Sequence, residues 1–312
     1  MTQDTSESVR LPIFPNFDKL RFEQKHQIEE LTAGHSSYSD FSFTNLWTWD
    51  TDGSTRISVL NHNLVVKMLN YTGEYLILTF IGDGLIDETI RTLIDFAKST
   101  NLPETLELLP EPIIKKIESP DSFKIVEDIN NSDYILSSGD IASLQSPELK
   151  KHKKKVGKLR SGHGEFQFEV INLKDERCLD EIRNLNDLWI AQTPLEKVDP
   201  DEKTAILRAL NSASDLGIIG LGCRFENNLI GFALVEFLNA EYGLLSFEKA
   251  DKTYIGIYSI LNQFIAQFFV EQGRKYINME QDLGKEGLRR SKKSWKPVSM
   301  LKKYSVSLID SQ

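Results

Sequence analysis

Residues 254–282 read YIGIYSILNQFIAQFFVEQGRKYINMEQD, and this stretch sets the fold class. The most apolar run in the chain, 254–270, is 17 residues long and carries Asn262, Gln263 and Gln267. A bilayer-spanning helix needs about 20 apolar residues, so the run predicts a buried helix. KYINMEQD after it reads as a strand. Three apolar runs precede it, LGIIGLGCRF, NLIGFALVEFL and YGLLSFEK, the first two divided by ENN at 226–228. Such runs between short polar breaks signal an antiparallel meander. Upstream lie the strand EFQFEVINL and the helices DERCLDEIRNLNDLWIAQ and DEKTAILRALNSAS; downstream a closing strand, YSVSLID.

The first half has the same order. A periodic helix at 17–33 is followed by the meander TRISVLN, LVVKMLN and YLILTFI, then the amphipathic helix LIDETIRTLIDFAKST and the strand TLELLP. EPIIKKIE reads as a further helix, FKIVED and DYILSS as strands. The repeat predicts an α+β protein of two similar units, each a mixed, mostly antiparallel sheet flanked by helices. The expected division is 1–136, a basic connecting segment at 137–160, and 161–312 with the active cleft.

A chain of 312 residues accommodates two domains of about 150 each. With 40% hydrophobic and 27% charged residues it has the composition of a globular protein and not of a disordered one. MTQDTSESVRLPIFPNF has no basic start and apolar core, so no secretory signal is expected, and the cytoplasm is the expected compartment. Only Cys178 and Cys223 occur, which argues against a disulfide framework. Five scattered histidines form no ligand spacing, so no metal site is expected.

Charge is distributed unevenly. The net charge is −9, yet 285–303 holds eight Lys and Arg within 19 residues, directly after Glu280 and Asp282. If the strand continues to Asp282, Asn278, Glu280 and Asp282 share one face. Glu280 or Asp282 would then accept a proton from an attacking amine or hydroxyl, or bind an ammonium, as catalytic groups. The bland reading is that they pair with downstream bases and cap the next helix. EGLRRSKKSW has helical character; its Arg289, Arg290 and Lys293, with Lys296 beyond, would bind substrate phosphates beside Asn278. A solvated cationic helix accounts for the same residues. Tyr258, on the apolar helix, is a candidate pocket residue or simply core; Tyr304 is a candidate general acid or a packing residue.

KKHKKKVGKLR at 150–160 holds seven Lys and Arg and no acid. On a helix Lys151, Lys154, Lys155 and Lys158 form one stripe, suited to tRNA or another phosphate backbone, or merely to solvent. It lacks the interleaved aromatics of a single-strand stacking platform.

Three stretches, SYSDFSFTNLWTW at 37–49, DYILSSGDIASLQSPELKKHKKKVGKL at 133–159 and INMEQDLGKEGLRRSKKSWKP at 277–297, together with the element order, resemble an uncharacterised bacterial family. It is grouped with the C-terminal catalytic domain of phosphatidylglycerol lysyltransferases, tandem GNAT-like relatives of the Fem-type aminoacyltransferases. The resemblance spans nearly the whole chain. It implies a tandem GNAT-like fold and, from the characterised relatives, transfer of an aminoacyl group from aminoacyl-tRNA to a lipid head group or another amine or hydroxyl acceptor, without a cofactor. Those relatives are membrane-anchored; here a peripheral association with an anionic lipid surface is the corresponding expectation. EQDLG followed by GLRRSKKSWKP departs from the lysyltransferase pattern. Only Gly256 stands where acetyl-CoA-dependent GNAT enzymes carry a glycine-rich pyrophosphate loop, which makes acyl-CoA the alternative donor. A non-catalytic module binding nucleic acid or an anionic membrane is the reading from a different class.

Overall fold

The computed structural model describes residues 10–309; most of the stretch read for a secretory signal lies outside them. Contacts divide the chain into two compact units, 1–131 with 302–312, and 132–301.

The first unit runs β1 (Asp18–Lys19), α1 (Lys25–Thr32), α2 (Phe43–Thr48), then the meander β2 (Arg56–Leu60), β3 (Asn63–Leu69) and β4 (Leu76–Ile81). It continues through α3 (Ile86–Ser99), β5 (Leu106–Pro110) and α4 (Glu111–Ile114), and the chain leaves it along β6 (Phe123–Ser137). The second unit adds α5 (Ser138–Ser143), α6 (Lys150–His163), β7 (Gln167–Ile171), α7 (Glu176–Ala191), α8 (Glu202–Asn211) and α9 (Ala213–Leu216). After these come β8 (Ile219–Phe225), β9 (Asn228–Phe237), β10 (Tyr242–Ala250), α10 (Ile257–Glu271), β11 (Tyr276–Asn278) and α11 (Glu286–Ser294), and β12 (Ser299–Leu308) ends the chain. The architecture is α+β, with a mostly antiparallel, helix-flanked sheet in each unit and the element order expected from the sequence.

The sheet orders match. In the first unit the strands lie β1-β2-β3-β4-β5-β12, with β5 parallel to β4 and antiparallel to β12. In the second they lie β7-β8-β9-β10-β11-β6, with β11 parallel to β10 and antiparallel to β6. Each unit's closing strand thus comes from the other side of the sequence. This differs from the expected division at 136 and 160: YSVSLID closes the first sheet, DYILSS the second, and 137–160 clusters with the second unit. Element order alone cannot distinguish these arrangements, because both closing strands carry the same period-2 signal.

The second unit's core explains the apolar stretch. Ile257, Ile260, Leu261, Ile265, Ala266 and Phe269 of α10 are buried against Leu221, Ala233, Val235, Leu245 and Ile277 of the sheet. A helix apolar on nearly every side must be covered on nearly every side, and residues of α5 and α6 complete the cluster. Gly243 makes this packing possible. A Cβ there would fall 2.1 Å from the Phe269 ring. The segment expected as a connector is therefore a core helix: His152, Val156 and Leu159 of α6 face inward.

Candidate functional site

β10 and β11 run parallel and pair only over Tyr242–Leu244 with Tyr276–Asn278. Beyond that point β11 stops, while β10 continues to Ala250 after a register shift between Leu245 and Phe247. Carboxyl ends of adjacent parallel strands are where open sheets accept ligands, since the backbones diverge there. Two polar clusters occupy the ends of this pair.

The first follows β11. Asn278 is fully buried; its Nδ2 donates to Asp133 Oδ2 at 2.9 Å and its Oδ1 accepts from the Glu280 amide at 2.7 Å. That second bond turns the chain, and Glu280 takes a left-handed backbone, φ 58°. The period-2 alternation therefore ends at Asn278, and the expected common strand face of Asn278, Glu280 and Asp282 does not form. A local side-chain bond has displaced the strand ladder.

Asp282 is fully buried and saturated with donors. Its Oδ2 accepts from Tyr134 Oη at 2.6 Å and Arg289 Nε at 2.8 Å, its Oδ1 from Arg289 Nη2 at 2.8 Å and the Gly284 amide at 2.9 Å. Burial alone would raise its carboxyl. The bonds from Arg289, Tyr134 and Gly284 outweigh that and hold it below the usual carboxylate range. Burial and the Asp282 charge push the Tyr134 phenol up to about 12. One turn later in α11, the Lys292 ammonium donates to the carbonyls of Met279 and Gln281. The basic segment is thus divided between two tasks: Arg289 and Lys292 brace the turn after β11, whereas Arg290, which pairs with Glu286 at 3.7 Å, and Lys293 and Lys296 are exposed.

The second cluster, at the end of β10, is not among the expected site residues except for Tyr258. Glu248 accepts from Asn262 Nδ2, which also donates to the Tyr258 carbonyl at 2.8 Å. Burial pushes the Glu248 carboxyl up to about 8. The Tyr258 hydroxyl oxygen accepts from Trp189 Nε1 at 2.8 Å; burial, then the nearby Glu248, raise its phenol well above the ordinary value. Trp189 also carries Lys249 Nζ 3.9 Å and Lys252 Nζ 4.5 Å from its ring centre, and Lys249 pairs with Glu202 at 2.6 Å. Dehydration and the charges of Lys249 and Lys197 lower the Lys252 ammonium. The signal for Glu248 in the sequence is an acid placed within the apolar strand YGLLSFEK.

On α6 the stripe residues Lys151, Lys154, Lys155 and Lys158 are all exposed. Among the described residues none of the four has an acidic partner within ion-pair distance. Opposite them His152 stacks on Trp295, ring centres 3.6 Å apart, with Nδ1 3.0 Å from Ser259 Oγ and Nε2 3.1 Å from Ser294 Oγ. This node joins α6 to the first turn of α10 and the last of α11. Tyr304 is grouped with the first unit, on β12. Among the described residues no group of three His, Cys, Asp or Glu side chains could hold a metal ion. Burial pushes the Cys223 thiol up to about 12, which leaves no activated nucleophile there.

A family model described as phosphatidylglycerol lysyltransferase, C-terminal, matches residues 32–307. The chain belongs to this family. Among solved structures, a conserved protein of unknown function from Bacteroides thetaiotaomicron is 26% identical, with a TM-score of 0.81 over 94% of this chain and 99% of that one. Two more distant structures share the fold. The C-terminal domain assigned to a lysylphosphatidylglycerol synthetase from Agrobacterium fabrum has 12% identity and a TM-score of 0.64, over 91% of each chain. L-PGS from Bacillus licheniformis has 14% and 0.62, over 92% of each. No curated protein sequence matches. Within this lysyltransferase C-terminal family the resemblance stretches acquire structural roles: 277–297 contains the Asp282–Arg289 brace, 133–159 contains Tyr134 and His152, and 37–49 contains Asp40, whose buried carboxylate pairs with Lys303 of β12. No described helix is long and apolar enough to cross a membrane.

Proposed function

We propose that this protein transfers an acyl group, most simply an aminoacyl group from aminoacyl-tRNA, to a lipid head group or another amine or hydroxyl acceptor. The observation that carries the reading is Glu248 near the carboxyl end of β10, a half-buried carboxyl bonded by Asn262 and held up to about 8. Such a group exchanges a proton with an acceptor near neutral pH. The acceptor oxygen or nitrogen loses its proton to Glu248 and attacks the carbonyl carbon of the donor ester. The new acyl bond forms as the bond to the ribose oxygen breaks, and that oxygen takes a proton from the Tyr258 hydroxyl, whose own oxygen is occupied by Trp189. Tyr258 is reprotonated from Glu248, and the groups are restored.

In this reading Glu280 remains the candidate for holding the donor ammonium, next to buried Asn278. Asp282 is assigned to positioning: it fixes Arg289 and the turn that carries Glu280. Arg290, Lys293 and Lys296, together with Lys151, Lys154, Lys155 and Lys158, supply cationic surface for tRNA phosphates. Support for a lipid acceptor comes from family membership.

The test is transfer of label from charged tRNA, or from acyl-CoA, into lipid and amine acceptors. Labelled lipid from the tRNA donor, with loss of about 100-fold to 10,000-fold in Glu248→Gln, is the expected result. Transfer from acyl-CoA alone would overturn the donor assignment. An unimpaired Glu248→Gln would overturn the mechanism.

A further inference from the structure

Helix α6 lies against the first turn of α10 at two points. Gly256, which caps the start of α10 with φ 106°, meets α6 so closely that a Cβ there would fall 3.0 Å from the Lys155 carbonyl oxygen. Three residues away on each helix, His152 Nδ1 lies 3.0 Å from Ser259 Oγ. Both side chains are almost completely enclosed, His152 at 4% and Ser259 at 2% exposure.

The partners of His152 assign its tautomer. Nε2 lies 3.2 Å from the Ser294 carbonyl, which can only accept, and 3.1 Å from Ser294 Oγ, whose own hydrogen goes to the Ser291 carbonyl at 2.7 Å. Nε2 therefore carries the proton and Nδ1 is the acceptor, so Ser259 Oγ donates to Nδ1. Burial first, then the charges of Lys155 and Lys151 on its own helix, hold the ring down at about 4 against the raising bond to Ser294. α10 faces it with the Ser259 hydroxyl, and α11 with Ser294 and the Trp295 ring that follows. The imidazole is neutral near pH 7.

The turn that His152 holds also serves the transfer site. Tyr258 immediately precedes Ser259, and Asn262, 5% exposed, stands one turn further on. Asn262 Nδ2 donates to the Tyr258 carbonyl at 2.8 Å and to the Glu248 carboxylate. Any displacement of this turn therefore carries Tyr258 and Asn262 away from Glu248 together. A misplacement of about 1 Å is enough to cost a reaction about 100-fold.

We propose that His152 is a positioning residue for the transfer site: its neutral imidazole fixes the first turn of α10, and so the bond by which Asn262 orients the Glu248 carboxylate. The inference rests on the assignment of Glu248 as the proton acceptor. It extends the site to α6, none of whose residues reaches the reacting groups in that assignment.

The experiment titrates Glu248 in the full chain by carbon-13 NMR of protein labelled at the glutamate carboxyls, with the resonance identified by its loss in Glu248→Gln. Burial raises the Glu248 carboxyl and the Asn262 bond opposes that rise. Loosening the bond should therefore make Glu248 a weaker acid, by about tenfold or more. Ser259→Ala, a small change that leaves the His152 ring in place, should show this. So should His152→Gln, which keeps a donor for Ser294 but has no acceptor at the Nδ1 position. His152→Asn places Oδ1 where Nδ1 stands and should titrate like the wild type, although it too lacks the ring stacked on Trp295. Melting temperatures should fall alike in the two His152 variants, so that stability and titration separate. Lys249 and Tyr258, which also bear on Glu248 electrostatically, are retained throughout.

An unshifted Glu248 titration in Ser259→Ala and His152→Gln would overturn the proposal. An equal rise in His152→Asn would also overturn it, because the effect would then belong to the lost stacking. Neither outcome depends on observing transfer. The proton-acceptor assignment fails separately, through full transfer by Glu248→Gln.

Discussion

The Arg289 guanidinium meets the Asp282 carboxylate through two parallel bonds of 2.8 Å, with the carboxylate fully buried and the guanidinium at the surface. Seven residues apart in sequence, the two close the turn by which the chain leaves β11 and enters α11. Bidentate pairs of this kind fix geometry as well as charge.

Arg289→Met should therefore destabilise the protein, because Asp282 would remain buried with only Tyr134 and the Gly284 amide as donors. The folded Asp282 carboxyl lies below its ordinary 3.8. Its stabilisation is complete above that value and is lost as pH falls through the lower folded value. The gap between wild type and Arg289→Met, read by urea denaturation, should be constant from pH 5 to 8 by this rule and narrow below about pH 4. A constant gap at all pH values would assign the loss to packing.

Glu248 has the opposite sign. Its folded carboxyl is raised from 4.5 to about 8, so the unfolded chain ionises first and stability declines as pH rises from the lower value to the higher. Glu248→Gln keeps the amide bond from Asn262 and removes the ionisable group. It should melt higher than wild type at neutral pH, with the difference growing toward pH 8, while losing transfer. Lower melting at pH 8 would show that the carboxylate is stabilised by groups other than those described.

His152 is pushed down to about 4, first by burial. Protons then bind preferentially to the unfolded chain, and stability falls as pH drops from about 6.5 toward 4. His152→Phe retains a ring against Trp295, loses the bonds to Ser259 and Ser294, and should abolish this part of the acid dependence. Thermal melts at pH 7, 6 and 5 would show it; parallel curves for the two proteins would refute it.

In the first unit Lys303 and Asp40 are both fully buried and paired, and the Tyr71 hydroxyl also donates to Asp40. Lys303→Met should cost about 3–5 kcal/mol by leaving an uncompensated buried carboxylate, and the added change Asp40→Leu should recover much of it. Urea midpoints of the single and double variants form the cycle. Additive losses would mean that the two residues do not act as a pair.

Periodicity and composition were enough to determine much of this protein. Meanders at 55–81 and 216–249, an enclosed helix at 257–271 and two units of one order follow from where apolar residues recur, because burial depends chiefly on the local pattern. Exposure of Lys151, Lys155 and Lys158 follows from the same periodicity. Tertiary structure decided the rest. Which strand closes which sheet depends on long-range pairing that two equally alternating segments satisfy equally well in sequence. A bond from Asn278 to the Glu280 amide broke the expected acidic face, and whether Asp282 serves as a base or as the anchor of Arg289 depended on four donors that converge on it from Tyr134, Gly284 and Arg289. Glu248 differs from any surface glutamate only through the α10 packing that removes its water, and desolvation is a property of the surroundings, which a one-dimensional pattern does not contain.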